Sequence, residues 1–146
     1  MAIYSYQRTK TPGPNGTTYY FRQPEDVTCT ELAEIDGTYY IHVPDGAVLP
    51  EQHPEINLTA VTLTDELKQQ IKLRSRPVQL IAERQQQMIR AQYPLDEELY
   101  FARIGVGAAN GMYQPTADEV TAMQTFGAFV ETVRQWGRDE RAKIGL

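Results

Sequence analysis

The chain has 146 residues, 41% of them hydrophobic and 23% charged, with a net charge of −5. This is the composition of a folded protein of one domain, or of a small domain with an appendage, and it excludes a disordered tail. Residues 1–63 carry 3 basic against 8 acidic residues and residues 64–146 carry 11 of each, so neither half has the basic surplus that a general nucleic-acid binder needs against phosphate charge.

The first third reads as β. Ala2–Gln7 alternates, with Tyr4 and Tyr6 on one face. The turn formers Thr11–Gly16 lead to a second expected strand over Thr17–Arg22, which holds Tyr19, Tyr20 and Phe21. Val27–Ile35 is a third extended segment, with a helical alternative over Thr30–Glu34. It contains Cys29, the single cysteine, which has no partner for an internal disulfide and reads as a small buried hydrophobe. Asp36-Gly37 is a hairpin dipeptide, because such turns need positive φ. It leads to a strand over Thr38–Val43 with Tyr39 and Ile41 on one face and Tyr40 and His42 on the other. Pro44-Asp45-Gly46 closes it. Four short strands bury little area, and a sheet of this size is often completed by another chain or domain.

Leu49–Ile56 holds Pro50 and Pro54, which disfavour helix and remove ladder donors, so an extended connector is expected. A polyproline-like arm on a partner is the other reading. From Thr64 onward the pattern is helical. Thr64 is a good N-cap, with Asp65 and Glu66 at the positive end of the dipole. Leu67, Ile71, Val78, Ile81 and Met88 recur on one stripe, which Arg74, Gln85 and Gln92 make polar in part. Pro77 either breaks this helix at Ser75-Arg76 or kinks it. Leu95, Leu99, Ala102 and Val106 form one face of the next helix, whose first turn holds Asp96, Glu97 and Glu98. Gly105–Gly111 is expected to end it. Thr116-Ala117-Asp118-Glu119 is a capping box. The helix it starts carries Val120, Met123, Phe126, Val130 and Val133 to about Ala142, with Gly127 placed for close helix approach and Trp136 near the end. The last two helices are expected to pair antiparallel.

The architecture expected is therefore α+β. A small N-terminal antiparallel β module covers 1–48, a Pro-rich extended linker 49–63, and a C-terminal helical module 64–146. The helical module comprises a long kinked helix and an antiparallel helix pair.

Chemistry-bearing patterns are few. Gly105–Gly111 has G-x-G-x-x-x-G spacing after a helix, whereas a dinucleotide loop needs G-x-G-x-x-G after a strand. His42 and His53 lack metal-ligand spacing, although a threefold axis could gather one His from each of three chains. Asp96, Glu97 and Glu98 point in different directions on a helix and read as dipole-compensating charge. No Ser or Cys sits in a nucleophile elbow. The basic, Gln-rich run Arg84–Gln87, with Lys68, Lys72, Arg74, Arg76 and Arg90, is interrupted by acids and has no interleaved aromatics, so it reads as a solvated or interchain helix face. No catalytic, cofactor-binding or metal-ligating residues are expected. A small cytoplasmic enzyme or nucleotide binder using Gly105–Gly111 stands as the reading from another class. No window approaches the apolar length of a membrane span, and the first ten residues lack a signal-peptide core, so synthesis in a cytoplasm is expected.

Two stretches carry a family resemblance. One is Gly37–Gly46 followed by Leu49–Ile56. The other is Ala91–Leu99 with Phe129-Val130-Glu131, Trp136-Gly137 and Lys143–Leu146. With the C-terminal stretch taken as 129–146 they span about a third of the chain, and the pattern resembles small structural proteins of tailed bacteriophages from the baseplate and tail-fibre region. Ile104–Gln114 is longer than the matching loop of that pattern. The resemblance implies a virion protein of the tail or baseplate that joins or decorates fibres by protein–protein contact and brings no catalytic residue with it. The alternative it leaves is a tail-fibre assembly chaperone. Partners would be other tail, baseplate or fibre proteins and further copies of the chain, as a trimer or higher, with no nucleic acid and no membrane. The expected contact residues are Tyr4, Tyr6, Tyr19, Tyr20, Phe21, Tyr39 and Tyr40 on the β module, Leu67, Ile71, Val78, Ile81 and Met88 on the helices, and Trp136.

Overall fold

A computed structural model gives the fold and describes residues 2–8 and 15–146. The expected turn at Thr11–Gly16 lies mostly outside the described residues. The chain is α+β, with a four-stranded antiparallel sheet followed by four helices. It divides into two compact units. One comprises the residues up to Gln79 together with Arg141–Leu146, and the other is Leu80–Glu140. This division falls inside helices, whereas the sequence reading set its boundaries at the Pro-rich segment.

In the first unit, β1 (Ala2–Gln7), β2 (Thr30–Ile35), β3 (Thr38–Val43) and β4 (Thr59–Val61) pair in the order β2-β3-β1-β4. β2 and β3 form the hairpin that Asp36-Gly37 announces. Asp36 has φ 51° and Gly37 φ 80°, the two left-handed positions that match the twist of flanking strands. The helical alternative over Thr30–Glu34 gives way to this pairing. Pairing in β2 shifts between Glu31 and Ala33. Such an irregularity breaks the alternation of strand faces, and Leu32 and Ala33 are both buried. The strand expected over Thr17–Arg22 does not form. The fourth strand is Thr59–Val61, paired with β1 from Ile3 to Ser5.

Both sheet faces are covered within the unit. On one side Ile3, Leu32, Ala33 and Ile35 pack with Ile71, Leu67, Val78, Ile144 and Leu146. On the other, Tyr6, Ile41 and Val43 pack with Cys29, Ile56, Tyr19, Phe21, Leu49 and Leu58. The segment read as a linker therefore folds back over its own sheet, and Ile56 is 3% exposed. Two glutamines hold the irregular segments by using their amides as peptide groups. The Arg22 N–H donates to Gln52 Oε1 at 2.8 Å and Gln52 Nε2 returns to the Arg22 carbonyl at 3.0 Å. The Cys29 N–H donates to Gln23 Oε1 at 2.8 Å and Gln23 Nε2 returns to the Cys29 carbonyl at 3.2 Å. Each pair satisfies backbone groups that no strand reaches.

The helical stretch after Thr64 is two helices, α1 (Asp65–Arg74) and α2 (Arg76–Gln92). Thr64 Oγ1 accepts from the Leu67 N–H. Ser75 between the helices is extended, at φ −73° and ψ 116°, the non-helical conformation of an N-cap, and Pro77 in the first turn of α2 has no N–H that would need a partner there. The fully buried Ser75 caps α2 through its Oγ, which accepts from the Val78 N–H at 3.4 Å.

The second unit holds the rest of α2, α3 (Leu95–Ala109) and most of α4 (Ala117–Lys143). Its core is aromatic. Phe126 lies 4.9 Å from Tyr93 and 5.3 Å from Phe101, and Phe129 lies 5.5 Å from Tyr93. These contacts, with Tyr100 against Glu119, run α3 and α4 antiparallel as expected. The close approach expected at Gly127 does not occur, since nothing lies within 4 Å of a Cβ there. It occurs at Gly137. A Cβ there would meet Gln85, whose amide donates to the Val133 carbonyl at 3.1 Å.

Candidate interaction surface

α3 is apolar on two nearly opposite sides. Phe101 and Ile104 face inward and are 8% and 5% exposed. Leu95, Leu99, Ala102 and Val106 lie about half a turn away, at intervals of four, three and four residues. That spacing keeps them in one line on a helix. This line faces out, with Leu95 54%, Leu99 49% and Val106 62% exposed. Leu99, Ala102 and Val106, with Arg103 and Gly107, line a shallow hollow of about 410 Å³. An amphipathic helix ordinarily turns its one apolar stripe inward; here a second stripe is left outside.

Charged and polar groups frame the line. Asp96 and Arg103 stand on one flank, seven residues apart. Glu98 stands on the other and pairs with Arg90. Beyond Arg103, Tyr100, Ile104 and Tyr113 line a second hollow of about 380 Å³. The Tyr100 and Tyr113 hydroxyls both donate to Glu119 Oε1, at 2.7 and 2.9 Å. Glu119 also completes the capping box, accepting from the Thr116 N–H at 2.8 Å while its own N–H donates to Thr116 Oγ1. The Thr116 backbone bond and then the Tyr100 hydroxyl hold the Glu119 carboxyl below its usual value. Residues 110–116, including Met112 at 86% exposure, are thus tied to the start of α4.

Gly105 and Gly107, part of the loop expected to end α3, lie inside the helix, which runs to Ala109. Its end is closed by Gly111 at φ 68°, with the Met112 N–H donating to the Gly107 carbonyl and the Gly111 N–H to the Ala108 carbonyl.

The residues singled out from the sequence as contacts are scattered by the fold. Tyr6 and Ile71 are core, 3% and 0% exposed. This corrects their reading as surface contacts, because each fills a cluster of its own unit. Tyr4, Tyr19, Phe21 and Tyr39 are half-buried against one sheet face, Tyr40, Leu67 and Val78 against the other. Tyr20 is 59% exposed, beside the Arg8 guanidinium, which lies 5.2 Å from its ring centroid and 3.8 Å from that of Tyr39. Ile81, Met88 and Trp136 are half-buried in the second unit. The α3 line was visible in the sequence as a helix face. The local pattern does not say whether another part of the chain covers it; only the inward turn of Phe101 and Ile104 does.

Among the described residues no group of three or more His, Cys, Asp and Glu is placed to hold a metal. His42 is 3% exposed and burial pushes its imidazole down. His53 stacks on Tyr19 with ring centroids 3.6 Å apart, and its Nδ1 accepts from the Glu55 N–H. Burial also pushes the Cys29 thiol up, away from the reactive thiolate. Among the described residues no helix is long and apolar enough to cross a membrane. Compared with protein-family models, curated proteins and solved structures, the sequence matches none.

Proposed function

We propose that this protein acts by protein–protein contact, as a structural piece of a tailed-phage particle that joins or decorates the baseplate and tail fibres. The observation that carries the contact role is the exposed line Leu95, Leu99, Ala102 and Val106 on α3. Apolar side chains aligned over three turns gain by leaving water, at about 25 cal/mol per Å² covered. The phage setting rests on the resemblance of Gly37–Gly46 with Leu49–Ile56, and of the Ala91–Leu99 and C-terminal stretches, to tail and fibre-region proteins. In that setting the chain resides in the virion after synthesis in the host cytoplasm, and it contacts other tail proteins and further copies of itself.

Mass spectrometry of purified particles tests this reading. The chain is expected in stoichiometric amounts with known tail proteins. Recovery from assembling tails but not from finished particles would make it an assembly chaperone instead. Absence from both would overturn the proposal.

A further inference from the structure

Resting on the contact role above, we propose that the outer face of α3 is covered by the same face of a second copy of the chain, antiparallel, about a twofold axis between Leu99 and Ala102. Intervals of four, three and four are those of a two-helix seam. Under this axis Leu95 opposes the second copy's Val106, and Leu99 opposes its Ala102. Every layer then pairs a larger with a smaller side chain. A parallel pairing would place Ala102 on Ala102 and leave a thin layer.

The charges choose the same arrangement. Asp96 and Arg103 occupy equivalent places on one flank, one seven-residue repeat apart. Neither has an ion pair within the chain among the described residues. Antiparallel pairing brings Asp96 of each copy to Arg103 of the other, so two opposite-charge pairs form by symmetry. A parallel pair would instead gather Asp96, Glu97 and Glu98 of both copies at one end and align the two helix dipoles. On the other flank Glu98 is already held by Arg90. A Cβ on Gly105 there would meet nothing within 4 Å, so the flank is open at that position. A 15-residue helix spans about 22 Å. Two such faces bury less than the roughly 1,600 Å² of a standard interface, so a dissociation constant in the micromolar range is expected.

Analytical ultracentrifugation of the full chain at low salt, over about 1 μM to 1 mM, reads the association. A reversible monomer–dimer equilibrium is expected. Asp96→Arg and Arg103→Asp should each weaken it about tenfold or more, because each turns both pairs into like charges. Mixing the two variants should restore dimers, since each then supplies the charge the other lacks. Both positions are exposed, and circular dichroism checks that the helices persist. A chain that stays monomeric at 1 mM would overturn the pairing. So would a dimer indifferent to either reversal, or variants that fail to pair when mixed. A monomer still present stoichiometrically in particles would refute the self-pairing alone and leave the contact role standing.

Discussion

Tyr6 sits where the sheet core meets a charged surface. Its ring stacks 5.4 Å from Tyr39, and its hydroxyl donates to Glu31 Oε2 at 3.2 Å. The Arg8 guanidinium reaches the same carboxylate oxygen at 2.7 Å. Burial, and then the neighbouring Glu31 charge, push the phenol up to about 12 from the ordinary 10. A group raised in the folded state stabilises it fully below the unfolded value and loses that contribution as pH rises through the folded one. Tyr6 therefore stabilises the first unit up to about pH 10 and ceases to do so toward pH 12. Tyr6→Phe should cost on the order of 1 kcal/mol at neutral pH, for one lost hydrogen bond. It should also flatten the fall of stability above pH 10. Urea denaturation at several pH values, with ultraviolet titration of the tyrosines, checks both. An alkaline fall as steep as in the parent chain would refute the assignment.

At the scale of the element, the glycines of α3 and α4 separate two uses of a missing side chain. A Cβ on Gly107 would lie 2.9 Å from the Tyr113 Cβ, too close to fit and attached to backbone that cannot swing away. Gly127 has nothing within 4 Å. Gly107→Ala is expected to destabilise by about 1 kcal/mol or more, because overpacking outweighs the gain in helix propensity. Gly127→Ala should stabilise by about 0.5–1 kcal/mol. Denaturation followed by helical circular dichroism gives both signs in one experiment. Opposite effects of one substitution within the helices mark what the sequence shows and what it does not. The Asp36-Gly37 hairpin, the Thr64 cap and the Thr116–Glu119 box were legible because their physics spans at most four residues. β4 was not, because a three-residue strand has no period of its own and its partner β1 lies far away in sequence. Gly127 and Gly137 look alike in a helical pattern, and only the placement of Gln85 tells them apart. The outer line of α3 was legible as a stripe, but its exposure depends on which side Phe101 and Ile104 turn inward.

For the molecule as a whole, the main fact is that the first unit is discontinuous, made of residues up to 79 and residues 141–146. Ile144 and Leu146 pack on the cluster of Ile3, Leu32 and Ile35, and Leu146 is 8% exposed. Leu146→Ala should therefore cost about 2–3 kcal/mol in the first unit, at the lower end for a buried leucine. Amide hydrogen exchange in β1, β2 and β3 should quicken by roughly 10²-fold while the amides of α3 keep their rates. An equal change in both units, or none in the strands, would refute the role given to these last residues.

This discontinuity also sets an order of events during synthesis. The helices of the second unit can pair as soon as they leave the ribosome, since their contacts lie close along the chain. The strands of the first unit, although made before them, lack part of their core until residues 141–146 have been translated. Ile3, Leu32 and Ile35 stay incompletely covered while residues 36–140 are made, in the condition that holding chaperones recognise. Of the two units, the one begun earlier is completed later.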